Sequence, residues 1–289
     1  MTLHRLLSEP SATDATLLLA FEGFGDAGDV QSAAVAALTN HLDFADVASF
    51  DIDALIDFRV RRPVMKIRGG HIAKFTWPAI ELRHARTKDG HDVFLLDGPE
   101  PDRSWMAFIA EVLDLALRFD VKMIVGLASF PGPVPHTRAT EIATTSVDAE
   151  LAAAVPYLPS EIEVPSSIHG AFEISAADRG IAAVGLWAPV PQYASNQPYP
   201  GAAAALLGKL GDLTDIHVDL QRLADGGAAA QQRIEDAIGE SPEHQRLVRA
   251  LEEHIEAMQS AQAEDLPSGD DLAADFEKFL DGQDLGGQE

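Results

Sequence analysis

The sequence predicts an α/β fold built on a mixed sheet, with a helical piece appended. Three observations lead there. Short apolar runs at Thr16–Phe21, Val121–Ala128 and Ile181–Ala188 read as buried strands, and helical patterns alternate with them. Between Val64 and Leu96 the chain shows hairpin signals instead, so the sheet is not purely parallel. After about Asp219 the strand signals cease and helical patterns take over. At 289 residues the chain is long for one core and short for two full domains. The expected division is an α/β core over 1–218, a helical subdomain over 219–264 and an acidic tail over 265–289.

In order, Thr16–Phe21 is expected to be a central strand. It runs into Gly23-Phe24-Gly25-Asp26-Ala27-Gly28, and Val30–Leu38 is alanine-rich and helical. Val47–Asp51 is a second strand. Val64–Thr76 reads as two short strands around Gly69-Gly70. Ile80–Thr87 alternates apolar and polar, Lys88-Asp89-Gly90 is a turn, and Asp92–Leu96 is a strand. Gly98-Pro99-Glu100-Pro101 breaks that strand and Asp102 opens a helix. Trp105, Phe108, Ile109, Val112, Leu113 and Ala116 share one face of it.

After Val121–Ala128, three prolines and a glycine within Ser129–Pro135 are expected to end regular structure. A short extended piece follows, then a helix from about Val147. Ile181–Ala188 ends in a rigid loop, Pro189–Tyr193, and Pro200 opens a helix to Leu210. Gly226-Gly227 and Glu240-Ser241-Pro242 are expected to punctuate the later helices. Val248, Leu251, Ile255 and Met258 step by three or four residues, a stripe suited to packing on a helix or on the body. Ser268–Asp271 matches a capped helix start. Leu272, Phe276, Phe279 and Leu280 then give the tail an apolar docking face.

Composition narrows the function. The net charge of −25 argues against broad contact with nucleic acid. No cysteine is present, which removes disulfide and thiolate chemistry and fits a reducing cytoplasm. No run approaches a membrane span, and Met1–Glu9 lacks a signal peptide's apolar stretch. A cytoplasmic protein is expected. The charge is uneven. Residues 241–289 carry thirteen acidic and three basic side chains, whereas 59–88 carry nine basic and one acidic. That basic island suits an acidic partner, the chain's own tail, or simply a solvated hairpin face.

Two loops hold the candidate site residues. His136, Thr137 and Arg138 sit on a proline-stiffened backbone after a central strand, where open α/β sheets keep their sites. They would either bind a ligand or partner, or brace the sheet. Gly23, Gly25 and Gly28 fit G-x-G-x-x-G between strand and helix, with Asp51 or Asp53 about twenty residues on. Glu22 and Asp26 would repel a phosphate there, so the alternative is a tight turn with Asp26 capping the helix. Glu100, before a proline at a strand's carboxyl end, is placed to face a site, and Tyr193 to lie on its rim. No Walker loop, metal-ligand spacing or Ser/His/Asp context is found, so no catalytic residue, metal or cofactor is expected.

The chain also resembles a known family. Gly23–Gly28, Arg61-Arg62-Pro63, Asp97–Pro101 with Trp105, Pro135–Arg138, Leu186–Tyr193 and Leu266–Asp271 are similar to motifs of the proteasome-assembly-chaperone family, in its actinobacterial branch of uncertain function. The resemblance implies a three-layer α/β/α sandwich with a mixed sheet, similar to nucleoside phosphorylases, plus a helical C-terminal part. It implies a homo-oligomer, a trimer among the candidate states, and proteasome subunits as partners. Archaeal relatives dock through a C-terminal tyrosine motif. This chain ends Leu285-Gly286-Gly287-Gln288-Glu289, so that docking route is in doubt.

Three functions follow as expectations. The first is a non-enzymatic, chaperone-like protein that binds other proteins. The second is a nucleoside-phosphorylase-like enzyme or small-anion binder, with His136 and Arg138 on an oxyanion and Glu100 on a hydroxyl or as acid/base. The third is a dinucleotide binder through Gly23–Gly28.

Overall fold

The computed structural model describes residues 2–153, 155, 157–159 and 161–264. The tail residues Leu272, Phe276, Phe279 and Leu280 lie outside the described residues.

The strands are β1 (His4–Leu6), β2 (Ala15–Glu22), β3 (Ala45–Phe50), β4 (Val64–Arg68), β5 (His71–Thr76), β6 (Glu81–Arg86), β7 (Asp92–Pro99), β8 (Val121–Gly132), β9 (Ala143–Thr145) and β10 (Ala182–Pro191). The helices are α1 (Val30–His41), the single turn α2 (Ile52–Leu55), α3 (Trp105–Arg118), α4 (Ile168–Ala177), α5 (Pro200–Thr214), α6 (Gln221–Gly239) and α7 (Pro242–Glu264). Eight strands form one mixed sheet in the order β1-β3-β6-β7-β2-β8-β10-β9, and β4 and β5 form a separate ribbon.

The central strands β7, β2, β8 and β10 run parallel, and β6 and β9 pair antiparallel on either side. Parallel strands are covered on both faces, which is why these read as unbroken apolar runs. Along β2 the side chains alternate between two cores. Leu17, Leu19 and Phe21 pack under α3 and α4; Leu18 and Ala20 pack under α1 and α5. The result is a three-layer α/β/α sandwich.

Four expectations need correction. Regular structure does not stop at Ser129: β8 continues through Pro131 to Gly132, paired with β10 up to Gly132↔Pro191. Its pairing with β2 has ended at Gly126, so Pro131 lies where β8 has one ladder neighbour, and proline's missing N–H is tolerated there. For the same reason Pro189–Pro191 is strand rather than loop, and the loop begins at Gln192. No helix starts at Val147; the chain turns there instead, with Leu151 and Ala152 N–H both donating to the Asp148 carbonyl. Finally, Gly226 and Gly227 do not break a helix but lie inside α6, where it crosses α5. A Cβ on Gly227 would lie 2.8 Å from the Gly201 Cα, so only glycine allows that approach.

α6 and α7 form an antiparallel hairpin over the α5 side of the body. Val248 and Ile255 of the expected stripe are buried, with Leu251 and Met258 half-buried beside them.

Candidate functional site at the carboxyl edge

The parallel strands β7, β2, β8 and β10 all end on one edge of the sheet. β6 runs against β7, and β3 against β6, so β3 ends and β6 begins on that same edge. Five segments therefore meet there: the glycine loop after β2, the excursion between β3 and β6, Glu100–Ser104 after β7, Pro133–Arg138 after β8, and Gln192–Tyr199 after β10. Every site residue singled out within the described part of the sequence lies on one of them. The fold brings these segments to one edge but gives each residue a different partner.

The glycine loop packs onto the end of β8. Ser129 N–H donates to the Gly25 carbonyl at 2.7 Å, and Ser129 Oγ donates to the Ala27 carbonyl at 2.9 Å. Gly23 has φ +134°, and the Arg61 guanidinium lies against it, donating to the Glu22 carbonyl at 3.2 Å. Asp26 turns to α1: Oδ1 accepts from Gln31 N–H at 2.7 Å and Oδ2 from Ser32 Oγ at 2.8 Å. Burial raises its carboxyl above the usual range, against those hydrogen bonds. A carboxylate thus occupies the helix N-terminus that a pyrophosphate would need.

Glu100 faces inward to another helix. Its Oε1 accepts from Ile168 N–H, the first of α4, at 2.8 Å. Its own N–H donates to the Glu22 carbonyl at 2.9 Å. This buried carboxylate ties β7 and β2 to the start of α4.

The His-Thr-Arg loop meets α7. Thr137 Oγ1 donates to Glu252 Oε1, and the Arg138 guanidinium donates to Glu256 Oε1, each at 2.5 Å. His136 is buried against Tyr193, whose Oη accepts the His136 backbone N–H at 2.8 Å and lies 2.8 Å from Nδ1. Burial pushes the Tyr193 hydroxyl up to about 12, so it keeps its proton. Burial also holds the His136 imidazole below its ordinary pKa, with Glu235 and Glu252 opposing. His136 Nε2 is buried and has no partner among the described residues. His136 lines an open cleft of about 310 Å³ between its loop and α5–α6, together with Arg138, Tyr199 and Gln231.

A second polar cluster was missed by sequence reasoning. α4 presents His169 and Glu173 to the underside of β8 and β10. Glu173 Oε1 accepts from Thr145 Oγ1 at 3.0 Å, which in turn accepts from Trp187 Nε1–H at 2.9 Å. Burial pushes Glu173 up to about 7 and His169 down to about 4. The His169 ring packs edge-on to Phe21 and Trp187, and its Nε2 has no partner among the described residues. The signal was available. Ser167 is a helix cap, and Ile168, Phe172 and Ala176 recur every four residues.

The remaining feature of the edge is the β4–β5 ribbon, exposed along its whole length. At its root the Phe58 and Phe75 rings each meet Trp77 edge-on at 5.1 Å. Among the described residues no group of three or more His, Cys, Asp or Glu is placed to hold a metal, and no helix is long and apolar enough to cross a membrane.

Comparison with known proteins fits this architecture. No curated protein matches the chain. A Mycobacterium tuberculosis protein of unknown function superposes with a TM-score of 0.82 at 35% identity, covering 91% of each chain. A proteasome-assembly chaperone homologue from the same organism gives 0.74 at 32% identity, over 81% of this chain and 99% of that one. A Pyrococcus furiosus protein, described as an archaeal proteasome activator, shares the fold at 13% identity and a TM-score of 0.65, over 82% and 99% of the two chains. The model of the PAC2 family matches residues 20–238. With three-quarters of the sequence matched and the sandwich the same, the chain belongs to the PAC2 family.

Proposed function

We propose that this protein is a non-enzymatic, protein-binding factor of assembly-chaperone type, acting on proteasome subunits in the cytoplasm as a homo-oligomer. The observation that carries the reading is how the polar side chains of the carboxyl edge are engaged. Asp26 caps α1, Glu100 caps α4, and Thr137 and Arg138 hold α7. A phosphorylase-like reaction needs such groups to converge on a substrate, and a dinucleotide needs the α1 terminus. Here they serve the chain's own helices. Family membership and the similarity to a proteasome-assembly chaperone homologue support the same direction.

The test mixes the purified chain with proteasome α-subunits of its own host and follows the mixture by size-exclusion chromatography. Co-elution with α-subunits or their assembly intermediates is expected.

One observation favours a second reading, a small anionic ligand in the cleft beside His136. The buried Nε2 of His136 has no partner among the described residues, and Arg138 lines the same cleft. A ligand that prefers the native state raises the melting point. A rise with phosphate plus nucleoside, absent in Arg138→Ala and without α-subunit co-elution, would replace the chaperone reading with this one.

A further inference from the structure

We infer that α7 is a displaceable strap, seated on a socket that also fits an acidic amphipathic helix of a partner protein. The inference rests on the reading of the chain as a protein-binding factor, but not on which protein it binds.

α6 and α7 are held in different ways. α6 crosses α5 at the close approach of Gly227 to Gly201, and its Ala230 is buried. In α7 only Val248 and Ile255 are buried among the described side chains. Val248 lies near the turn, in a groove with Tyr193 and with Ile234 of α6. Ile255, seven residues on, is the one buried side chain that α7 sets on the loop after β8. The polar contacts beside it run from Thr137 to Glu252 and from Arg138 to Glu256, and the Glu256 side chain is 64% exposed. Exposed pairs of this kind are weak and are screened by salt. A helix held by a turn, two buried side chains and two screened contacts opens far more readily than the sheet beneath it.

The socket does not depend on α7 for its shape. Ile255 closes a hollow lined by Val134, Pro135, Tyr157, Pro189, Pro191 and Tyr199, with about 20 Å³ left free. Pro189 and Pro191 belong to β10, and the ring of Pro135 fixes its φ. Tyr157 Oη is tied to the Glu141 carbonyl at 2.6 Å. Arg138 and Thr137 stand on the rim as a cation and a hydroxyl. This combination selects an aliphatic side chain with carboxylates beside it on a helix, which is the pattern Glu252, Ile255 and Glu256 present. The pattern is not peculiar to this chain. A partner helix that carries it meets a socket already formed, so little ordering opposes its entry. The residues matched by the family model, 20–238, include every lining residue except Ile255 and stop short of α7. The socket thus belongs to the shared domain, and the strap is laid over it.

The probe is a fluorescein-labelled peptide of residues 242–264, titrated by anisotropy into three full-length chains: the parent, Ile255→Asp, and Ile255→Asp/Arg138→Glu. Ile255→Asp loosens the strap and leaves the rest of the socket unaltered. It is expected to bind the peptide at least about tenfold more tightly than the parent, whose own α7 keeps most sockets closed. Arg138→Glu is expected to remove most of that gain, and high salt to reduce it. Equal binding by the parent and Ile255→Asp, or binding indifferent to Arg138→Glu, overturns the proposal. Loss of a parent oligomer on adding the peptide would make a second copy of this chain the occupant, which also overturns it. Amide exchange in the parent needs no variant. Exchange within 242–264 is expected to be at least about tenfold faster than within 221–239, and equal protection of the two helices overturns the strap. The peptide test uses no α-subunit, so it and the co-elution test can fail separately.

Discussion

The two basic segments of the carboxyl edge make an instructive pair. Pro135–Arg138 is short and proline-stiffened, and its Thr137 and Arg138 are each matched to an acid of α7. The ribbon over Val64–Thr76 is longer, more basic and more apolar, yet exposed throughout. Both place cations on a turn-rich stretch, Arg138 in the loop and Lys66, Arg68 and Lys74 in the ribbon. What separates them is the partner element. α7 brings Glu252 and Glu256 four residues apart, one helical turn, onto adjacent side chains of the loop. The ribbon has no such helix among the described residues. A charged stretch becomes structural or presented according to what the rest of the fold brings to it.

The sharpest way to break the comparison lies under the paired side, at Glu173. The native state holds a proton there up to about pH 7, whereas the unfolded carboxyl releases it near 4.5. Native protein therefore binds more protons between those values, and this group's contribution to stability falls as pH rises through the window. His169 acts in the opposite sense. Its folded pKa of about 4 lies below the unfolded 6.5, so its contribution grows between those values. Glu173→Gln removes only the falling part. Urea unfolding at pH 5 and pH 8 is expected to show it more stable than the parent at pH 8, by up to ~3 kcal/mol, with little difference at pH 5. An equal offset at both values would mean that Glu173 is ionised in the native state.

Next comes Glu100→Ala, which leaves the first N–H of α4 without its buried acceptor. A loss of about 2 kcal/mol is expected in denaturant midpoints at pH 7, within the range for a charge-assisted hydrogen bond. A loss below ~0.5 kcal/mol would return Glu100 to the set of groups available for a ligand.

The smallest effects compare the two basic segments directly. Thr137→Ala/Arg138→Ala is expected to cost within ~1 kcal/mol, because both contacts are partly solvent-screened, and to speed proteolytic cleavage within 242–264. Lys66→Thr, on the ribbon, is expected to move global stability by less than ~0.5 kcal/mol. Equal global losses from the two would erase the distinction between them.

The sandwich was largely legible because periodicity and length carry it. Thr16–Phe21 and Asp92–Leu96 lie inside observed strands, Ile181–Ala188 does so from its second residue on, and α3 buries the face its spacing implies. Proline misled at β8 and β10, since its missing donor matters only on the side where a ladder neighbour exists. Gly226-Gly227 misled in the other direction. Propensity makes the pair helix-weakening, whereas the fold needs it for a crossing that only tertiary structure reveals. The site residues were found as residues but not as partners. Nothing in the sequence says that Glu100 meets a helix 68 positions later. His169 and Glu173 are legible only through the Ser167 cap and the four-residue repeat of Ile168, Phe172 and Ala176, a weaker signal than the long apolar strands.

The main sheet ends on both sides in three-residue strands, β1 and β9. A long bare strand edge recruits other chains by strand addition, whereas three residues offer too few free groups to do so. The ribbon's free sides are longer but carry Lys66, Arg68 and Lys74, which oppose flat stacking. The fold thus contains its own protection against amyloid-type polymerisation. On storage or concentration, precipitation is expected to begin with the helices lifting from the sheet, not with native molecules joining edge to edge.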